Sequence, residues 1–318
     1  MDFWKGKNVL VTGASGFTGS HLCRALINSG ANVRAYIKRG SSLFNLSDII
    51  NKVQIVRGDI TDLTNLFNVM KDIKYVFHVA AIVPVAESRD LPYSSFQVNS
   101  LGVFNVAWAA TKNNVKRILY TSTCHVYGNQ PDDKIPIKED TQPNPVDTYS
   151  ASKYAGEILL RPLINQSDGL EIIITRAFNK YGPYQVGDWL IPRTIKQVLN
   201  KQNPKLGNPD STRDYTFIED AVTGYMATME FGEHGEIYNL PSGIETSVKD
   251  VVEKIIDISG ISVNPVWDTS YRKFDVRRSC GDGSKAKLKL GWETKISFEE
   301  GLKLTINWWK KHPELLKF

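Results

Sequence analysis

The sequence predicts an α/β fold: a doubly wound parallel sheet with a smaller, mostly C-terminal α/β region beside it. Three observations carry this expectation. Short β-branched runs alternate with longer stretches of helical periodicity across the first half of the chain, the pattern of βαβ units. Several runs are apolar almost without a break, as strands covered on both faces are. The 318 residues are 42% hydrophobic and 23% charged, the balance of a chain that buries a sizeable core rather than a disordered or fibrous one.

In chain order, the expected strands are NVLVTG, NVRAYI, VQIVRG, YVFHVA, RILYTS and EIIITR, with helical patterns over 19–29, 63–72, 94–112 and 150–165 between them. The alternation breaks after Arg176, where FNKYGPYQVGDWLIP and LGNPDSTRDYTFIED gather Gly, Pro, Asn and charge. Helical patterns return over 247–259, 284–290 and 297–310. The chain thus divides at about residue 176 into regions 1–176 and 177–318, with some later segments returning to the first.

The net charge of +5 is spread along the chain without a like-charge block, which excludes a nucleic-acid arm and suits a cleft for a small anion. Cys23, Cys124 and Cys280 are too few and too scattered for a disulfide framework or a zinc site. The five histidines lack metal-ligand spacing, and His78 reads as structural. The opening residues lack the pattern of a signal peptide, and no apolar stretch is long enough to span a bilayer, so a cytoplasmic protein is expected.

The first strand runs into TGASGFTGSHL, which sets Gly13, Gly16 and Gly19 between a buried strand and a helix. Glycine there permits a tight turn, close approach of a pyrophosphate to the backbone, and close packing of helix on sheet; the helix N-terminus adds free N–H groups. The turn, with Ser15, Phe17 and Thr18 among its residues, is therefore a candidate dinucleotide site of the Rossmann type. No GK[ST] follows, which disfavours an ATPase loop. About twenty residues on, where an acid would hold the ribose 2′-hydroxyl of NAD, Lys38 and Arg39 stand instead. They suit the 2′-phosphate of NADP, or form an ordinary solvated basic loop; NAD(P) is expected, with a leaning toward NADP.

YSASK places Tyr149 and Lys153 one helical turn apart on one face. An ammonium beside a phenol favours the phenolate and makes the tyrosine an acid/base near neutrality. Thr123, after the fifth strand, lies at a strand carboxyl end, where open α/β sheets bind ligands. Thr, Tyr and Lys together suit hydride transfer: a base takes the alcohol proton while hydride leaves carbon for nicotinamide.

With these motifs goes an ordered series: TGASGFTGSHL, GDITD, FHVAA, VNSLG, STCHVYG, YSASK, RAFNKYGP, TRDYTFIEDA and GDGSKAKLKLGW. The chain resembles the extended short-chain dehydrogenase/reductases of the nucleotide-sugar epimerase/dehydratase family over nearly all its length. The resemblance implies a homodimer, with outward Ala155, Ile158 and Leu159 compatible with a helical interface or with core packing. It implies that Asp59 and Ile60 bracket the adenine, that Ala80 and Ala81 line the cofactor channel, and that Asn99 sits near the cofactor ribose. Asp59 serves equally to close a turn, and Asn99 to cap a helix. For the substrate diphosphate it implies Asn179, Arg213 and Arg272, the last with a register open against Arg277 and Arg278. Trp189, Ile191 and Pro192 lie where related enzymes hold the base.

Two reactions compete. Oxidation and re-reduction at one sugar carbon, C4, need only Thr123, Tyr149 and Lys153, and give epimerisation. A 4,6-dehydratase needs a further acid and base, and related dehydratases carry Glu, often after Asp, behind the threonine; here Cys124 and His125 stand there. His125 is either a replacement acid/base or a packed pocket residue. Epimerisation is the expected activity, with dehydratase, 4-keto reductase and a non-catalytic dinucleotide sensor as alternatives.

Overall fold

The computed structural model describes residues 3–83, 90–166, 169–268 and 276–317. Strand β1 (Asn8–Thr12) leads to helix α1 (Phe17–Asn28), β2 (Asn32–Ile37), β3 (Gln54–Arg57), α2 (Leu63–Val69) and β4 (Tyr75–His78). Then come α3 (Pro92–Phe96) and α4 (Gly102–Lys112), joined by a π-helical turn over Gln97–Leu101. β5 (Arg117–Thr123), α5 (Thr148–Gln166) and β6 (Glu171–Ala177) follow. The later part comprises β7 (Asn179–Tyr181), α6 (Leu190–Leu199), β8 (Lys205–Leu206), β9 (Thr212–Phe217), α7 (Ile218–Phe231), β10 (Ile237–Leu240), β11 (Glu245–Ser247), α8 (Val248–Ser259), β12 (Val266–Trp267), α9 (Ser284–Leu290) and α10 (Phe298–Lys310).

Seven strands form one parallel sheet in the order β10-β6-β5-β4-β1-β2-β3. Six are the strands expected from the sequence. The seventh, β10, comes from beyond residue 177, so the later region completes the first region's sheet. Side chains alternate across the pleat: Val9, Val11, Phe77, Leu119 and Ile173 join one core with α1 and α7, while Leu10, Val76, Ile118 and Ile172 join the other with α2 and α4. Both faces are covered, which is why these strands read as apolar runs.

The helix expected over 94–112 is interrupted because its π turn carries Asn99, whose side chain is engaged sideways rather than at a helix end. Two small sheets, β11-β9-β7 and β12-β8, build the substrate side beyond the carboxyl ends of the main strands. The strand order reverses between β1 and β4, and a crevice at such a switch point is where open α/β sheets bind ligands. Among the described residues, no helix is long and apolar enough to cross a membrane.

Candidate active site

The glycine turn is sterically committed to a bare backbone. Gly13 has φ +67°, and a Cβ on it would lie 2.8 Å from Ala80 Cα at the end of β4. A Cβ on Gly19 would lie 2.3 Å from the Gly13 carbonyl oxygen. Gly16 caps α1 with no side-chain bond, leaving the first N–H groups to a ligand. Ser15, Phe17 and Thr18 are half-buried around this turn, and the Ser15 carbonyl accepts a bond from Asn45 at 3.3 Å.

Facing the turn, the Thr12 hydroxyl accepts from the N–H groups of Val79 and Ala80, at 3.1 and 3.2 Å, and lies 2.8 Å from His78 Nδ1. With both N–H groups donating to it, the hydroxyl gives its proton to Nδ1 and fixes the neutral ring with the proton on Nε2. Burial holds the His78 pKa down to about 3. Ala80 and Ala81 are thus presented on a fixed chain end, both half-buried.

Asp59 closes a turn, its Oδ1 accepting from the Thr61 N–H and hydroxyl at 2.9 and 2.8 Å. Ile60 is buried against Gly102. Asn99 is fully buried: its Oδ1 accepts from Ile82 N–H at 2.7 Å, and its amide donates to Ile82 O and to Ser152 Oγ at 3.1 and 3.0 Å. It ties the segment after β4 to the helix carrying Tyr149. Lys38 and Arg39 are exposed at the end of β2.

Thr123, Tyr149, Lys153 and His125 come together at the carboxyl end of β5. Asp147 and Ser150 exchange bonds at the start of α5, Ser150 N–H to Asp147 Oδ1 at 2.8 Å and Asp147 N–H to Ser150 Oγ at 3.2 Å, a reciprocal cap that sets Tyr149 in the first turn. The Tyr149 hydroxyl is hydrogen-bonded to Thr123, and the His125 ring meets its ring edge-on at 5.9 Å.

The phenol departs from the sequence expectation. Burial raises its pKa, the Thr123 bond opposes that rise, and the Lys153 charge is not among the influences on it. Lys153 instead lies over the Tyr120 ring, 4.3 Å from its centroid, and is 2% exposed; burial, then the Lys180 charge, lower its pKa to about 7. One turn further on, Glu157 forms a buried ion pair with Arg176 at 2.7 Å and accepts from Ser122 at 2.5 Å, bolting α5 to β5 and β6.

The substrate side holds a cavity of about 250 Å³, lined among others by Asn179, Lys180, Gln185, Trp189, Arg193 and Arg213. Three buried polar atoms of this lining, Asn179 Oδ1, Gln185 Oε1 and Arg193 Nε, have no hydrogen-bond partner in the protein, as expected of atoms placed for a polar ligand. Arg213 is steadied by a 2.7 Å bond to Thr212 O, and the next residue, Asp214, is buried and accepts from the N–H groups of Ser242, Gly243 and Gly281. Arg272 lies outside the described residues. Of its two register alternatives, Arg277 lines the cavity but pairs with Asp132, and Arg278 pairs with Glu245 and Asp132.

The model of the family described as GDP-mannose 4,6 dehydratase matches residues 10–305. The chain belongs to this family. Its members are nucleotide-sugar enzymes of the extended short-chain dehydrogenase/reductase type. The chain is similar at 32% identity, over 99% of its own length, to a trifunctional UDP-glucose 4,6-dehydratase/3,5-epimerase/reductase of Arabidopsis thaliana, and it spans about half the length of that relative, 49%. The structure of UDP-glucose 4-epimerase from Thermotoga maritima with UDP-glucose superposes with TM-score 0.90 at 31% identity, covering 96% of this chain and 99% of that one. A Thermus thermophilus UDP-glucose 4-epimerase in complex with NAD gives TM-score 0.87 at 27% identity, covering 95% and 99%.

In this family setting two residues stand out that the sequence reading passed over. Thr12 is the polar end of an apolar strand, and only the pairing of β1 with β4 brings it to His78. Lys180 lies inside RAFNKYGP beside the expected Asn179; its place between two recognised residues was the available signal, and strand β7 turns it toward the site.

Proposed function

We propose that this chain is an NAD(P)-dependent nucleotide-sugar epimerase acting at C4 through a keto-sugar. The observation that carries the reading is the hydrogen-bonded Thr123–Tyr149 pair beside buried Lys153, followed by Cys124 and His125 rather than two carboxylates. Burial pushes the Cys124 thiol up to about 11, so it is neutral and a poor base; His125 is the only adjacent group suited to proton exchange.

The bare turn at Gly13 and Gly19 and the open N-terminus of α1 fit a dinucleotide pyrophosphate. Ala80 and Ala81 line its channel, Asp59 and Ile60 flank the adenine, and Asn99 acts by position, holding Ile82 and Ser152. When bound, the nicotinamide accepts hydride from the sugar carbon and returns it. Tyr149 takes the proton of the C4 hydroxyl, Thr123 holds that oxygen in line, and Tyr149 gives the proton back when the ketone is reduced on its other face. Burial keeps the phenol protonated, which equips it as the acid of the return step. Asn179 and Arg213 hold the diphosphate, joined by Arg272, while the sugar is left free to present either face.

Lys38 and Arg39, exposed at the end of β2, support acceptance of NADP alongside NAD; a loss of NADP affinity larger than that of NAD in the Lys38→Ala, Arg39→Ala double variant is the expected result. A homodimer is favoured by exposed apolar side chains at Leu91, Tyr93, Phe96, Leu101, Ile158 and Leu159, on the adjacent α3 to α5. The buried free thiols suit a cytoplasmic setting.

Product NMR with UDP-, GDP-, dTDP- and CDP-sugars decides the reaction. A C4 epimer formed without consumption of external NAD(P)H supports epimerisation. A 4-keto-6-deoxy product that disappears in His125→Ala establishes dehydration instead.

A further inference from the structure

Lys180 is the middle residue of β7 and lines the cavity between Asn179 and Tyr181. Its backbone is fixed by pairing with Thr216 of β9 and by the bond from Gln185 to its carbonyl at 3.0 Å. Its charge is felt at Lys153 and at Cys124, so the ammonium faces the catalytic end of the cavity rather than its outer mouth. Among the described residues it has no ion-pair partner, and the Cys124 thiol is the single charge-bearing group acting on it. The nearest buried carboxylate in sequence on the neighbouring strand, Asp214, is spent on Ser242, Gly243 and Gly281. Burial accordingly lowers the Lys180 pKa to about 8.

Two lysines, 153 and 180, therefore share one enclosed site without a local anion. A buried cation left unpaired is costly, and such a site gains most from a ligand that brings the missing negative charge. The diphosphate is served by Asn179 and Arg213, and a neutral hexose would leave Lys180 unpaired beside it. We propose that Lys180 is a specificity residue that pairs with a carboxylate on the sugar ring, so that the substrate class is the nucleotide-linked uronic acids. This rests on the nucleotide-sugar reading above. It also agrees with Cys124 and His125: a uronate has no C6 hydroxyl to eliminate, so the acid and base of a 4,6-dehydratase have no task on it.

The test is calorimetric binding to the NAD-loaded enzyme in matched pairs, UDP-glucuronate against UDP-glucose and GDP-mannuronate against GDP-mannose, so that the base and diphosphate cancel within a pair. The uronate is expected to bind at least about tenfold more tightly in one pair, the scale of one charge-assisted bond. Lys180→Met is expected to erase most of that ratio, and Lys180→Arg to retain part of it; the NAD content of each variant reports that it is folded. Equal affinities within both pairs overturn the proposal, as does a Lys180→Met loss of the same factor for both sugars, which would mark Lys180 as a diphosphate contact. If UDP and GDP themselves fail to bind, the nucleotide-sugar reading falls and takes this one with it. Selective uronate binding accompanied by a product other than the C4 epimer leaves this proposal standing and removes the epimerase reading alone.

Discussion

Replacing Glu157 by glutamine tests the support beneath the catalytic helix. The Glu157 carboxylate accepts from Arg176 Nη2 at 2.7 Å, Arg176 Nε at 3.1 Å and Ser122 Oγ at 2.5 Å, and both ionic side chains are 2% exposed. Arg176 also stacks on Tyr127, 4.7 Å from the ring centroid, and donates to the Glu139 carbonyl at 3.3 Å. Breaking one side of a buried pair costs about 3–5 kcal/mol, because the remaining charge stays desolvated. Glutamine keeps the shape and one acceptor, which places Glu157→Gln near the lower end, about 3 kcal/mol. The assay is urea unfolding of Glu157→Gln, Arg176→Met and Glu157→Leu/Arg176→Met, with the double variant expected to lose much less than the sum of the singles. Glu157 also raises the Lys153 pKa, so its loss moves the fall of activity at high pH toward lower pH. A cost under about 1 kcal/mol, or strict additivity in the double variant, would refute the reasoning.

Three further outcomes are expected. Tyr149→Phe abolishes turnover with fold and cofactor binding largely intact, since the ring is kept and only the proton carrier is lost; near wild-type rates would remove Tyr149 from its role. Gly19→Ala drives a methyl into the Gly13 carbonyl, 2.3 Å from the built Cβ, and is expected to reduce both thermal stability and retained dinucleotide; an unchanged NAD content would contradict the tight turn. Lys180 has a folded pKa of about 8 against 10.5 for an ordinary lysine, so between those values the unfolded chain binds more protons and rising pH relieves the penalty of burying its charge. The stability advantage of Lys180→Met over wild type is therefore full below about pH 8 and shrinks as pH rises toward 10; an advantage that grows over that interval would show the wrong sign.

Local chemistry made much of this protein legible from its residues. The six strands announced themselves because a sheet covered on both faces requires uninterrupted apolar runs, and the glycine turn did so because Gly13 and Gly19 sit where the backbone excludes a Cβ. The cluster of Thr123, Tyr149 and Lys153 followed from one strand end and one helical turn, both short-range regularities. The seventh strand was hidden because IYNL is only four residues long and its place in the sheet is fixed by β6, far away in sequence.

What the residues alone determined is thus the parallel α/β architecture, the family and the identity of the proton-carrying groups. The tertiary structure decided their environments. It set Lys153 over Tyr120 rather than against the phenol, made burial the main influence on Tyr149, gave Asn99 a positioning role through Ile82 and Ser152, and brought Lys180 to face the site. The division has a physical reason. Strand and helix periods act between neighbours in the chain, whereas desolvation and charge depend on every group that packs within a few ångströms, most of them contributed by distant segments.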